Sequence, residues 1–317
     1  MTAAQASAAV RIGIDLGGSK IAGVVLDAAG RAIAEHRAAA PRHDYGATIK
    51  AVGDMVAHLE ARAGAKGSIG IGMPGSLSPR SGLVQNANST WINGRPFRRD
   101  LEAHLARPVR LANDANCFAL SEAVDGAGAG AKSVFGVILG TGCGGGLVIA
   151  GRLVDGPRGI GGEWGHNPLP WAEADEHPGP SCWCGRRGCM ETWVSGPGLE
   201  ADHARATGER LAAEAIAARA AAGEAAARAS LDRHAGRLAR GLASVVNVFD
   251  PEVIVLGGGL SNLAHLYEAL PALIAPHVFA DAPQVTVRPP RWGDAGGVRG
   301  AAWLWGEGSG SDPAAKR

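Results

Sequence analysis

Net charge is almost absent: 31 Lys and Arg stand against 30 Asp and Glu, a formal +1 at pH 7. Without an excess of either sign there is no electrostatic surface of the kind that holds nucleic acid or a membrane. No apolar run approaches the ~20 residues that cross a bilayer. The first nine residues, MTAAQASAA, lack the basic start and apolar centre of a secretory signal, which predicts a frayed N-terminus and a cytoplasmic protein. Cysteine is scarce and odd in number, five in 317 residues, so a disulfide framework is not expected. There is no CxxC pair for thioredoxin-like redox work. There is also no GK[ST] of a Walker A loop, and no HRD or DFG of a protein kinase. What is present is length enough for two cores, with 46% hydrophobic and 19% charged residues, the balance of a soluble globular protein.

Three of the five cysteines fall within eight residues, in the stretch from Glu163 to Glu191 that begins GEWGHN and ends CWCGRRGCME. Rich in Gly and Pro and without helix or strand periodicity, it buries too little apolar surface to fix its own shape. A metal is the expected clamp. Cys182, Cys184 and Cys189 supply three thiolates, and His166, in a compact turn with Glu163 and Gly165, is preferred over His177 as fourth ligand. A Cys3His tetrahedron suits structural zinc, with no position left for a catalytic water.

Early in the chain, RIGIDLGGSKIAGVVLD reads as strand, glycine turn, strand, with Gly17 and Gly18 in the turn. Asp15, just before the turn, suits a water-mediated Mg²⁺ site beside bound phosphates, although a hairpin alone explains the pattern. The same pattern recurs in SVFGVILGTGCGGGLVIAGRLV. Two such hairpins in one chain point to duplicated halves closing on one phosphate chain, as in actin-like ATPases. Gly140, Gly142 and Gly145 also spell GxGxxG, but a β-branched run follows where a dinucleotide fingerprint needs a helix.

Helical rhythm is expected over residues 46–63 through Ile49, Val52, Val56 and Leu59, and a buried strand in SIGIGMPG, ending at the turn that holds Gly75. The amide-rich segment around Asn88 and Trp91 is either a solvated loop or a hydrogen-bonding wall for a polyhydroxylated ligand. PVRLANDANC predicts a strand running into a helix. Asp114 there is either the helix N-cap or, at a strand's carboxyl end where α/β folds bind ligands, a base for a hydroxyl proton. Two or three alanine-rich helices are expected from Leu199 to about Val248. The strand VIVLGGG then enters a glycine turn that admits adenosine, and GVRGAAWLW reads as a last short helix before a disordered tail.

DLGGSK, GMPG, NDAN, GTGCGGG, GEWGH, CWCGRRGCME and VIVLGGG, in that order from about Arg11 to Trp305, resemble the ROK family of repressors, open reading frames and sugar kinases. Through NANSTWINGRPF, GEWGHNPLPW and GVRGAAWLW the chain looks most similar to the family's manno(fructo)kinase branch. The resemblance implies an α/β, actin-like (ribonuclease H-like) ATPase fold with a nucleotide and sugar cleft between two lobes. Residues 1–118 with a C-terminal helix 297–317 would form the small lobe, and residues 119–296 the large one. It implies ATP, Mg²⁺ and structural zinc, a hexose phosphorylated at its 6-hydroxyl, fructose first and mannose second, and a homodimer. Glucokinase and N-acetylhexosamine kinase are the nearest rival activities. A sugar-sensing regulator would need a DNA-binding segment, and only about ten residues precede the first hairpin.

By the same resemblance Asp114 is the catalytic base. Gly75, Asn88, Asn113, Glu163, His166 and Glu191 hold the sugar, and His166 with Cys182, Cys184 and Cys189 holds zinc. Gly13, Asp15, Gly17, Gly18, Ser19 and Lys20 belong to the first phosphate loop, Gly140, Thr141, Gly142, Gly144 and Gly145 to the second, and Gly257 and Gly258 to the adenosine turn. Ser19 stands where the family's usual threonine would be, and the loop from His166 to Cys182 is longer than in its glucokinases.

Overall fold

The computed structural model of the protein describes residues 10–306, so the expected frayed start and the tail from 307 onward lie outside the described residues. Two five-stranded sheets share one plan. In chain order, β1 (Arg11–Leu16), β2 (Lys20–Leu26) and β3 (Ala32–Ala39) form an antiparallel meander. After α1 (Tyr45–Ala63), β4 (Ser68–Met73) returns parallel to β1. A small ribbon of β5 (Ser76–Leu77) and β6 (Val84–Gln85) and helix α2 (Phe97–Leu105) lead to β7 (Val109–Asn113) beside β4. The order across the sheet is β3-β2-β1-β4-β7.

Helix α3 (Asp114–Val124) crosses to the second sheet, which opens with β8 (Ser133–Leu139), β9 (Cys143–Ile149) and β10 (Arg152–Leu153), again an antiparallel meander. After the cysteine segment come α4 (Glu191–Val194), α5 (Gly196–Thr207), α6 (Ala213–Ala221) and α7 (Ala225–Phe249). Next, β11 (Val253–Gly257) pairs parallel to β8, α8 (Ala264–Ile274) leads to β12 (Val287–Arg288), and α9 (Gly296–Trp303) returns to the first sheet. The order β10-β9-β8-β11-β12 repeats that of the first sheet, element for element. This is the actin-like α/β fold, two lobes with a cleft between them.

Local chemistry explains the elements. Asp44 caps α1 by accepting from the Ala47 amide at 2.8 Å, and Gly64 ends it in the left-handed conformation. Val52, Met55, Val56 and Leu59 then bury one stripe against the sheet, whereas Ile49 stays half-buried. The strands of β4 and β11 read as continuous apolar runs because both faces are covered.

Three apolar clusters result: one in each lobe, and a third between the sheets, where Phe118, Leu120, Val134, Val255, Val298 and Trp303 meet around α3 and α9. Glycine makes that central layer possible. A methyl at Gly13 would meet Ala302 of α9, one at Gly70 would overlap the Ala301 carbonyl oxygen, and one at Gly300 would overlap the backbone of Cys117 on α3. α9 therefore lies against β1, β4 and α3 at backbone distance. Its helical turns end at Trp303, and of the 297–317 helix expected the part from 307 onward lies outside the described residues.

The long segment between His166 and Cys182 is pinned to α7. Glu176, buried, accepts from Arg237 Nε at 2.7 Å and from Arg240 Nη2 and Nη1 at 2.7 and 2.8 Å. Burial alone would raise the Glu176 pKa, but the hydrogen bonds from Arg240 and Arg237 and from the Glu173 amide outweigh it and hold the group at about 2. Among the described residues no helix is long and apolar enough to cross a membrane.

Candidate active site

A cavity of about 230 Å³ opens between the lobes, lined by Asp15, Gly17, Gly18, Asn88, Asp114 and Gly258 together with residues no motif had marked. Each wall comes from a different element. The β1–β2 turn brings Asp15, Gly17 and Gly18, and its closure is the Gly17 amide donating to the Lys20 carbonyl at 3.0 Å. The turn after β11 brings Gly258, in a left-handed conformation. The β7–α3 junction brings Asp114.

At that junction the helix cap is Asn113, not Asp114. Asn113 Oδ1 accepts from the Ala115 and Asn116 amides at 2.9 and 3.4 Å, and its Nδ2 donates to the Gly75 carbonyl at 3.2 Å. Asn113 thus satisfies the helix start and braces the Gly75 turn at once. Asp114 is relieved of capping and takes the first helical position, one oxygen accepting from the Ala115 amide at 2.8 Å. Asp114 is exposed to water at the cavity surface, although protein atoms crowd closely around its carboxyl group. That burial pushes its pKa above the usual carboxylate range, against the lowering by its amide and Asn113 hydrogen bonds. Burial and then the charge of Asp114 raise Asp15 to about 6, with Lys20 acting the other way.

Glu163, His166 and Glu191 form a neighbouring group outside the cavity lining. The pKa of Glu163 is raised by burial; His166 lowers it, and the charges of Asp114 and Glu191 raise it further, so the two groups share one field. Glu191 Oε2 accepts from the Cys143 amide at 3.0 Å at the start of β9, which ties the cysteine segment to the second hairpin.

His166, Cys182, Cys184 and Cys189 present their ligand atoms within 4.8 Å of one another. His166 Nδ1 lies 3.6 Å from Cys182 Sγ, and Cys184 Sγ lies 3.7 Å from Cys189 Sγ. A tetrahedron with Zn–S bonds of 2.3 Å has sulfur–sulfur edges of about 3.8 Å, so the donor set fits a zinc ion in kind and in spacing. The turn that gathers them is closed by the Cys182 amide on the Arg186 carbonyl at 2.8 Å and the Gly185 amide on the Cys182 carbonyl at 3.0 Å.

Several expectations change. Gly13 lies inside β1, paired to β2 and β4 on either side, with its open face against α9, so it serves packing and not phosphate. Gly145 faces the rings of Trp164 and Phe135, and Gly257 faces the ring of Phe118. Both therefore belong to the core, and only Gly258 of that pair reaches the cavity. A methyl added at Gly144 would lie 3.0 Å from the Ala115 Cβ in the first turn of α3. Ser19, Lys20 and Thr141 are exposed at the hairpin tips, and Gly140 and Gly142 close the second tip, the Gly140 amide donating to the Gly142 carbonyl at 3.0 Å. A strand, β9, follows GxGxxG, as the rejection of a dinucleotide site required.

Residues missed include Gly293, Asp294 and Gly297, which also line the cavity, Gly297 with its open side toward the Asp15 carboxylate, and Trp183, whose indole donates to Glu191 at 2.7 Å. Nothing near Asp294 signals a ligand in sequence. Trp183 was legible, an aromatic between two of the cysteines expected to bind metal.

The ROK family profile matches residues 11–307, which is nearly every described position. The chain belongs to the ROK family. An N-acetyl-D-glucosamine kinase of Pectobacterium atrosepticum is 42% identical over 296 residues, covering 92% of this chain and 97% of that protein. A ROK hexokinase structure from Thermus thermophilus superposes with a TM-score of 0.83 at 35% identity, covering 93% and 97% of the two chains. A ROK glucokinase from Streptomyces griseus, solved with glucose and AMPPNP, gives 0.73 at 28% identity, covering 93% and 98%. The expectation of an ATP-dependent ROK sugar kinase stands. The expectation of a manno(fructo)kinase does not: curated relatives at 40 to 43% identity over almost their whole length are N-acetyl-D-glucosamine kinases.

Proposed function

We propose that this chain transfers the γ-phosphoryl group of ATP to the 6-hydroxyl of an N-acetylated hexosamine, with N-acetyl-D-glucosamine the leading substrate. The observation that carries the chemistry is Asp114, freed from capping by Asn113, with a pKa raised by burial, on the floor of a cavity rimmed by Asp15 and by the glycine turns of both lobes. A carboxylate there takes the hydroxyl proton as the new P–O bond forms and the bond to ADP breaks, and a raised pKa makes it a stronger base near neutral pH. Asn113, Glu163, His166 and Glu191 hold the sugar together with Asn88, which lines the cavity. Gly17, Gly18, Ser19 and Lys20 face the phosphates from one lobe and Gly140, Thr141 and Gly142 from the other, with adenosine against Gly258.

Asp15 would hold Mg²⁺ through water, which supplies charge neutralisation along the phosphates. His166, Cys182, Cys184 and Cys189 would hold a structural zinc ion, which fixes the loop and the tautomer of His166. The choice of sugar is supported by the names of relatives at 40 to 43% identity. The test is a coupled assay of ADP release with N-acetylglucosamine, N-acetylmannosamine, glucose, mannose and fructose. N-acetylglucosamine is expected to give the highest kcat/KM; a preference for fructose or mannose would overturn the assignment.

A further inference from the structure

Glu191 is gripped from two sides. Its Oε1 accepts from the Trp183 indole at 2.7 Å, and its Oε2 accepts from the Cys143 amide at 3.0 Å. Trp183 sits between Cys182 and Cys184, edge-on to the His166 imidazole with ring centroids 5.0 Å apart and planes at 84°. The side chain is 69% exposed, so burial is not what keeps the ring in place. Its backbone lies in the turn closed by the Cys182 amide on the Arg186 carbonyl and the Gly185 amide on the Cys182 carbonyl, and its N–H is held by Glu191.

Cys143 opens β9 immediately after the Gly140–Thr141–Gly142 tip. Gly142 turns its open side to Glu191, and a methyl there would lie 2.7 Å from Oε2. One carboxylate therefore joins the cysteine segment to the second hairpin.

We infer that Trp183 is a positioning residue that aims Glu191 at the sugar and, through Glu191, couples the sugar pocket to the second phosphate hairpin. This rests on the reading above that Glu191 faces the sugar. An ionised carboxylate offers about four lone-pair directions. Two charge-assisted hydrogen bonds, one to each oxygen, fix its plane and leave the remaining directions pointing one way. A free glutamate would lose that aim to rotation about its side chain, and orientation is what such a site supplies. The same bond to Cys143 makes the sugar-side carboxylate a prop for the hairpin tip, so each substrate favours the geometry the other needs.

The test compares Trp183→Phe and Glu191→Ala with the metal-loaded wild type. Phenylalanine keeps a ring beside His166 and removes only the N–H. Zinc content and Tm are expected to stay at wild-type values in Trp183→Phe. The calorimetric Kd for N-acetylglucosamine without nucleotide is expected to rise about tenfold, the scale of losing a hydrogen bond to a charge. The KM for ATP is expected to rise with it, while kcat changes far less. In the Glu191→Ala background, adding Trp183→Phe should leave the KM for ATP where Glu191→Ala alone puts it. If Glu191→Ala loses sugar binding while Trp183→Phe binds as wild type, the positioning role is overturned and the sugar-facing reading survives. If Glu191→Ala binds sugar as wild type, that reading itself fails. Loss of zinc from Trp183→Phe, or an additive effect in the double variant, would make Trp183 part of the loop's framework only and overturn the inference.

Discussion

A helix contact at backbone distance sits three residues from the catalytic candidate, and one methyl group should expose its importance. Gly300 of α9 rests on the backbone of α3 at Cys117, three residues from Asp114. A Cβ added at Gly300 would lie 2.9 Å from the Cys117 Cα and closer still to its carbonyl, where non-bonded carbons prefer about 3.5 to 4.0 Å. The helices would have to part by roughly 1 Å or more. Neither has room to yield, because α3 is buried from Ala115 to Ala123 and α9 is pressed against Gly13 and Gly70 on its other side. Overpacking of this kind costs about 3 kcal/mol, and at about 2 °C per kcal/mol for a chain this large that lowers Tm by about 6 °C. Displacing α3 also displaces Asp114, and a misplacement of about 1 Å in a reacting group costs on the order of 100-fold in rate. Gly300→Ala should therefore lose both Tm, by differential scanning calorimetry, and kcat, measured well below the new Tm. A Gly300→Ala protein with wild-type Tm and kcat would refute the close-packed interlobe layer as the support of the site.

Asp114→Asn keeps the oxygen that accepts from Ala115, so its Tm and sugar Kd should match wild type while kcat falls about 10²- to 10⁴-fold; a wild-type kcat would remove Asp114 as the base. Because burial raises the Asp114 pKa and the base works deprotonated, kcat should fall with decreasing pH along an acid limb above the ordinary aspartate value of about 3.9. A limb at or below that value in the pH–rate profile counts against it. Glu176 is held at about 2, below its unfolded value, so its contribution to stability is present above about pH 4.5 and is lost as pH falls toward 2. Glu176→Gln should cost about 3 kcal/mol at neutral pH by denaturant melts, since it leaves Arg240 buried without its anion and Arg237 with Asp202 alone, and should flatten the acid loss; an unchanged melt at pH 7 would contradict this. Dialysis against a chelator should lower Tm and weaken sugar binding together, and a metal-free protein, verified by elemental analysis, with wild-type sugar Kd would separate the cysteine cluster from the site.

Much of the site was legible because its signals are local. CWCGRRGC carries three ligands in eight residues, and His166 was chosen over His177 from the turn around it; the four ligand atoms converge within 4.8 Å. The two glycine hairpins announced a duplicated plan, and both sheets follow it, β1 to β3 matched by β8 to β10. The Asn113–Asp114 pair was ambiguous in sequence because either residue type caps a helix, and only the coordinates assign the cap to Asn113. The sugar was not legible. Discrimination between hexoses depends on where hydrogen-bonding atoms stand, and GEWGH or NDAN reads the same whichever sugar they face.

Residue order alone determined the strand and turn grammar, the cysteine cluster and the placement of a carboxylate at a strand's end, since each is settled by neighbours within a few positions. Long-range packing decided the rest. Glycine has no local signature that separates a phosphate-facing turn from a close helix crossing, and only the return of α9 showed that Gly13, Gly70 and Gly300 exist to let backbones touch. The bond from Trp183 to Glu191 likewise joins two elements whose relative pose is set by the folded segment and the hairpin behind it, and the cavity at Asp114 is walled by residues far apart in the chain.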